Sequence, residues 1–269
     1  MPGSVDVSAL ASAWDARVAH GALRLGAPAT FVLETASTND DAKRALAAGA
    51  AHGAIFVAEA QTAGRGRQGR SWQGEPGASL LFSLVVRCPI APHAAGAIPV
   101  AAGLALAEAI DDLACRAAAR VKWPNDVRIG GRKVAGILAD ATVRAGTIEG
   151  VVVGVGVNVG SMQFTSDLAG RATSLANEGI AAGRLDLLER FCVRFEALVE
   201  RAAQHGLRDF AARLAAKHEL FGARVRRSDG VEAEADRIDD EGRLVVRREG
   251  ALERWSSGEV HLVSAEARS

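Results

Sequence analysis

Gly64–Arg65–Gly66–Arg67–Gln68–Gly69–Arg70–Ser71 is the stretch on which the reading of this chain turns. Three arginines within six residues concentrate positive charge, and their planar guanidinium groups suit a carboxylate or a phosphate. The glycines between them let the backbone approach an anion and leave the loop mobile until one orders it. Gly64, Gly66 and Gly69 spell a dinucleotide fingerprint, and Gly64 to Ser71 spells a phosphate loop with Arg in place of Lys. Both motifs require a helix that starts where the loop ends. The continuation here is Trp72–Gln73–Gly74–Glu75–Pro76–Gly77, a poor helix former. The dinucleotide reading also needs an acidic residue about 20 positions on, where Leu84–Val85–Val86–Arg87 stands. Both are rejected, which leaves an anion-binding loop or an ordinary solvated basic one.

Outward from this loop, strands and helices mix without a regular βαβ alternation. Asp6 to His20 reads as a helix, and Phe31–Val32–Leu33 as a strand. Ser37 or Thr38 caps a helix from Asp40 to Ala48, with Asp40 and Asp41 in its first turn. Ala54 to Ala58 and Ser79 to Val86 read as buried strands, and Ile98 to Cys115 as a helix with an apolar stripe. A strand ends at Val121–Lys122. Val127–Arg128–Ile129 and the segment from Lys133 flank a Gly130–Gly131 turn, a hairpin signal. Gly136 to Ala141 and Thr147 to Val157 are further strands, the latter an exposed edge able to pair two chains. Leu185 to Ala203 and Leu207 to Ala216 are helices, and five short strands (223–227, 232–238, 243–247, 251–255 and 259–263) close the chain. The pattern predicts an α+β fold. A mixed β-sheet domain with flanking helices spans 1–220, and a small all-β barrel spans 221–269.

Composition limits the partners. Lys plus Arg and Asp plus Glu both number 32 in 269 residues, so the chain has no general attraction for DNA or anionic membranes. Any anion must be held by a local cluster. Cys88, Cys115 and Cys192 make no CxxC or zinc spacing. With no targeting signal from Met1 to Trp14, they fit a reducing cytoplasm. No apolar run reaches the about 20 residues that span a bilayer. The six histidines form no HxxxH pair, His218–Glu219 lacks the second His of HExxH, and no GxSxG elbow exists. The expected chemistry therefore uses neither a covalent enzyme intermediate nor a tightly bound transition metal.

Three further blocks carry polar groups out of apolar strands. In Lys122–Trp123–Pro124–Asn125–Asp126, Pro124 stiffens a turn that offers an amide and a carboxylate. Lys133 enters an apolar strand, with either an anionic partner or a head extended to solvent, and Gly136 follows as a close-approach position or a bulge. Gly154–Val155–Gly156–Val157–Asn158 strips side chains from one strand face, leaving room for a flat or bicyclic ligand with Asn158 at its edge. Each block read alone is equally an ordinary turn, hairpin or bulge.

Together, Ser37–Thr38–Asn39, Gln61, GRGRQGR (64–70), Trp72, KWPND (122–126), GRKVAGIL (131–138) and GVGVN (154–158) resemble the biotin protein ligase family. The resemblance runs over about residues 31–263 and includes the C-terminal β unit, which it implies to be SH3-like. It implies that biotin is activated by ATP to biotinyl-5′-AMP and passed to a lysine of a biotin carboxyl carrier protein, such as a subunit of acetyl-CoA carboxylase. By position, Ser37, Thr38 and Gln61 would bond biotin's ureido ring and its neighbours, and Gly64 and Arg65 would close over it. Lys133 and Gly136 would contact biotin, with Lys133 beside the reacting carboxylate and, with Arg65, acting in catalysis. Gly154 and Val155 would line the biotin pocket. Arg67 and Arg70 would hold phosphate, Trp72 would belong to the ordered loop, and Lys122 would lie near phosphate. Asn125, Asp126 and Asn158 would lie near the adenylate, with Asp126 the candidate Mg²⁺ ligand. ATP and Mg²⁺ would be co-substrate and ion, with no tightly bound cofactor. The expected state is a cytoplasmic monomer or weak homodimer that contacts neither DNA nor membrane.

The family often has a further Arg where Gln68 stands, which bears on one charge contact. Only 36 residues precede Ser37, fewer than the about 50 of a DNA-binding domain, so the expectation is a ligase without repressor activity. A lipoate protein ligase shares the adenylation logic but is not expected to combine KWPND with GRGRQGR. A non-enzymatic biotin-sensing regulator is the other rival, against which Lys133 and Asp126 speak.

Overall fold

Ser79–Val86 is buried at all eight positions, because an apolar strand without alternation must be covered on both faces. This computed structural model, which describes residues 6–21 and 23–263, provides both covers. In chain order the elements are α1 (Val7–Gly21), β1 (Ala29–Thr35), α2 (Thr38–Ala47), β2 (Ile55–Gln61), β3 (Ser79–Val86), α3 (Ala97–Ala114), β4 (Ala119–Lys122), β5 (Asp126–Ile129), β6 (Arg132–Arg144) and β7 (Thr147–Asn158). Then follow α4 (Arg184–His205), α5 (Ala211–Lys217), β8 (Arg224–Arg227), β9 (Glu232–Ile238), β10 (Leu244–Arg248), β11 (Ala251–Trp255) and β12 (Val260–Leu262).

The first seven strands form one sheet in the order β1-β2-β3-β7-β6-β5-β4. Only β1 and β2 run parallel; the other pairs are antiparallel. The two faces are told apart by the two-residue period of β7. Val151, Val153, Val155 and Val157 join the main core with residues of α3 and α4. Val152 turns to the opposite face and packs with Ala42 and Leu46 of α2 and Val85 of β3. Gly154, Gly156 and Asn158 continue along that same second face.

Two strand expectations are corrected. The segment 147–157 is not an exposed edge: from Val151 onward it lies between β3 and β6 at the middle of the sheet. Its continuous valines are apolar because both faces are buried. The pieces at Lys133 and at 136–141 are one strand, β6, paired with β7 from Ala135 to Arg144 and with β5 near its start.

All five tail strands form, in an antiparallel sheet of order β11-β10-β9-β8-β12. Among the described residues no pairing joins β11 to β12, so the expected barrel is an open five-stranded sheet. The division at 220/221 falls between α5 and β8. The ends of the two expected units, 1–5 and 264–269, lie outside the described residues. Trp123, buried, ties the tail to the large sheet by donating its indole N–H to the Gly242 carbonyl at 2.9 Å. Among the described residues, no helix is long and apolar enough to cross a membrane.

His218 sits at this joint, stacked on Phe221 with 4.1 Å between ring centroids. Its ring nitrogens face the backbone N–H groups of Trp123 and Leu220, each at 3.2 Å. A neutral ring can accept from one of them at a time, an imidazolium from neither. Burial pushes the imidazole from its ordinary 6.5 down to about 3. The unfolded chain therefore takes up a proton near pH 6.5 that the folded chain refuses, and stability falls as pH drops through that window. Denaturant titrations should show this: between pH 7 and 4.5 His218→Gln should lose about 2–3 kcal/mol less than the parent chain. Equal losses would contradict the buried neutral ring.

Candidate active site

Along the second face of β7, the absence of two side chains decides what lies above it. A Cβ at Gly154 would overlap the Asn39 carboxamide, brought there by the first turn of α2. A Cβ at Gly156 would meet the Trp72 indole 2.6 Å from Nε1, and one at Gly136 would meet it at 3.1 Å. The register explains the convergence, because Gly156 pairs with Gly136 across β6. The room that the sequence assigns to a flat ligand at these glycines is thus filled by the protein's own Asn39 and Trp72. The remaining cleft, about 1180 Å³, opens beside them.

One part of the cleft wall is neutral and polar. Ser37 precedes α2 without using its hydroxyl as a cap. The backbone N–H groups of Asp40 and Asp41 are instead accepted by the Ser37 carbonyl, at 3.0 and 3.1 Å. Both Ser37 and Thr38 are buried, and both line the cleft. Gln61 Oε1 accepts from the Thr38 backbone N–H at 2.8 Å, which leaves the Gln61 side-chain amide nitrogen toward Gly64 and the cleft.

The other part is cationic. Lys133 Nζ lies 2.6 Å from Asp126 Oδ1 and 5.5 Å from the centre of the Trp72 ring. Its backbone N–H and carbonyl are bonded to Arg171 and Thr173, so the strand start is fixed on both sides. Arg67 and Lys122 have no ion-pair partner among the described residues. Burial pushes both below their ordinary values, opposed by Asp126 and, less strongly, by Glu259. Half-buried cations without partners, facing a cleft, form an anion site at the level of elementary electrostatics.

The loop 64–72 is a tight hairpin rather than the start of a helix. Gly66 donates to the Arg70 carbonyl at 2.7 Å and Trp72 to the Gly64 carbonyl at 2.9 Å, with Gln68 left-handed at its tip (φ 58°). Arg65 pairs with Asp40, and Arg70 pairs with Glu259 of the tail through both terminal guanidinium nitrogens, Nη1 and Nη2. The Arg70 bond holds the Glu259 carboxyl below its ordinary value. Of the two arginines expected on phosphate, Arg70 is thus tied to a carboxylate, while Arg67 meets none among the described residues.

Every residue expected at the site lines this cleft except Gly64, which is buried behind it against the Trp72 carbonyl and Gln61. Asn125 and Asn158 line it with one carboxamide N–H each already bonded, donating at 3.0 Å to the carbonyls of Ile137 and Thr173. The sequence reading did not assign Asn39, Ser83, Glu259 or the segment from Met162 to Ala172, all at or beneath the wall. Ser83 carried a signal, as a polar residue in the middle of SLLFSLVV with apolar neighbours on both sides. The 162–172 segment has no pattern that marks it.

Residues 34–158 match the Biotin/lipoate A/B protein ligase family. A biotin--[acetyl-CoA-carboxylase] ligase of Mycobacterium tuberculosis is 37% identical over 85% of this chain and 86% of its own. The bifunctional ligase/repressor BirA of Salmonella typhimurium is 32% identical over 80% of this chain and 68% of its own. The fold is that of a biotin protein ligase from Aquifex aeolicus solved with biotin and ATP (TM-score 0.74, 22% identity, 87% of this chain and 99% of that one). The chain belongs to this ligase family and, within it, to the biotin protein ligases.

Of the four tryptophans, Trp14, Trp123 and Trp255 are buried in the core, so a change of environment at the cleft reports on Trp72. Gly156→Ala should push the indole outward, shift tryptophan emission to the red and raise acrylamide quenching. The overpacking should destabilise the fold by roughly 1–3 kcal/mol. Unchanged emission would contradict the packing of Trp72 on β7.

Proposed function

We infer that the protein activates biotin with ATP and transfers the biotinyl group to a lysine of a biotin carboxyl carrier protein, in the cytoplasm. The relatives' names support the activity. The observation that carries the site assignment is the Lys133 ammonium, held by Asp126 beside Trp72 and joined by Arg67 and Lys122, which have no ion-pair partner among the described residues.

The chemistry brings a carboxylate onto the α-phosphorus of a polyanion. One carboxylate oxygen bonds to phosphorus and the bond to pyrophosphate breaks, giving the mixed anhydride biotinyl-5′-AMP. The acceptor amine then bonds to the acyl carbon, loses its proton, and AMP departs. Lys133 offsets the repulsion between carboxylate and phosphate, while Arg67 and Lys122 hold the departing charge. Positioning and charge compensation suffice, so no protein nucleophile is needed. The polar wall at Ser37, Thr38 and Gln61 orients the ring end of biotin. The 64–72 hairpin with Arg65 covers the anhydride against water and opens for the acceptor.

Among the described residues, no three acidic, histidine or cysteine side chains gather to cage an ion. Asp126 is the carboxylate that would hold a Mg²⁺ ion arriving with the nucleotide. The ion would add charge compensation at the phosphates.

Biotin-dependent exchange of labelled pyrophosphate into ATP tests the first step. Lys133→Ala should lower it by at least about a hundredfold with the fold retained by circular dichroism. Exchange at the parent rate in that variant would remove Lys133 from the chemistry.

A further inference from the structure

Ser83 is fully buried in the apolar interior of β3, and a hydroxyl persists there only when it is bonded. Its Oγ lies 2.5 Å from Asn39 Oδ1 and 2.7 Å from Thr38 Oγ1. Thr38 Oγ1 in turn lies 3.2 Å from Gln61 Oε1. Counting protons through this chain fixes their direction.

The Asn39 carboxamide has its nitrogen toward two acceptors, the Leu138 carbonyl at 3.2 Å and Asp140 Oδ2 at 3.3 Å. Its oxygen therefore faces Ser83, and an oxygen of that kind only accepts. The single proton of Ser83 goes to Asn39. The short contact between Ser83 and Thr38 then needs the proton of Thr38. None remains for the longest contact, between Thr38 Oγ1 and Gln61 Oε1. The Gln61 orientation is fixed as well, because its oxygen already accepts the Thr38 backbone N–H at 2.8 Å. Two acceptor oxygens thus stand 3.2 Å apart at the cleft wall with no proton between them. The Gln61 amide N–H groups lie beside them.

We propose that Ser83 and Asn39 are positioning residues which turn the Thr38 proton away from the cleft, so that the wall selects a head group carrying N–H next to a carbonyl. The proposal rests on the biotin reading and deepens it. A urea ring supplies an N–H for the acceptor pair and a carbonyl for the Gln61 amide. A dithiolane ring supplies neither and would leave the cleft-facing lone pairs of both oxygens without a donor, which is the strong form of discrimination. Gly154 belongs to the same device, since any side chain there would displace the Asn39 carboxamide.

The test is a double-mutant cycle on biotin adenylation with Ser83→Ala and Thr38→Val. In Ser83→Ala, Thr38 regains a proton to share with Gln61. KM for biotin should rise about tenfold with kcat within about twofold, the pattern of lost uniform binding. In a Thr38→Val background, Ser83→Ala should add nothing, because Ser83 acts through the Thr38 hydroxyl. Ser83→Cys, close to isosteric and a weak donor, should move KM in the same direction and serves if Ser83→Ala does not fold. An unchanged KM in both Ser83 variants would overturn the proposal. So would an equal KM rise with and without the Thr38 hydroxyl, which marks a packing effect. A parent chain that adenylates no biotin would instead overturn the functional reading, so the two failures are distinguishable.

Discussion

Asn39 and Trp72 approach strand β7 more closely than any side chain at 154 or 156 would allow, and the site is arranged around those two contacts. Asn39 anchors the start of α2, which brings Ser37 and Thr38 to the polar wall. Trp72 anchors the returning arm of the 64–72 hairpin and stands under the Lys133 ammonium. Both contacts lie on one face of one strand, two residues apart, so the neutral and cationic parts of the cleft are spaced by the strand itself, about 7 Å along β7. Helix α2 and the hairpin are positioned by backbone-level packing, which is stiffer than contacts between long side chains.

Charge is distributed on a similar plan. The chain is neutral overall, yet most of the arginines and lysines at the cleft are tied to a carboxylate: Arg65 to Asp40, Arg70 to Glu259, Lys133 to Asp126 and Arg128 to Glu219. The more exposed of these pairs, Arg65–Asp40 and Arg70–Glu259, contribute little stability, and their value lies in holding side chains in place. Arg67 and Lys122, half-buried and unpaired among the described residues, are left to meet an incoming anion. The Arg70–Glu259 pair also makes the tail sheet part of the loop's support, which gives the C-terminal unit a role at the cleft beyond packing on Trp123.

How much of this could be read from the chain depends on range. Ser79–Val86, the Gly130–Gly131 hairpin and the five tail strands were legible because period and turn chemistry act locally. The place of β7 was not legible, since a run of valines and glycines says that a strand is covered without saying by which neighbours. The polar and cationic blocks were recognisable as a set, and all but Gly64 meet at one cleft. What lies between them was hidden. Glycines at 154 and 156 look like space for a ligand until Asn39 and Trp72, both distant in sequence, are folded onto them. Ser83 is the instructive case, because a hydroxyl inside an apolar strand announces a partner without naming it.

The central claim is that this cleft joins biotin to a protein lysine through an adenylate. Its most direct test is the intact mass of an apo biotin carrier domain after incubation with the protein, ATP and Mg²⁺, with biotin or lipoate supplied separately. The account predicts a gain of one biotinyl group, dependent on ATP, and no gain with lipoate. An unchanged mass with biotin, or a lipoyl group gained in its place, would contradict it.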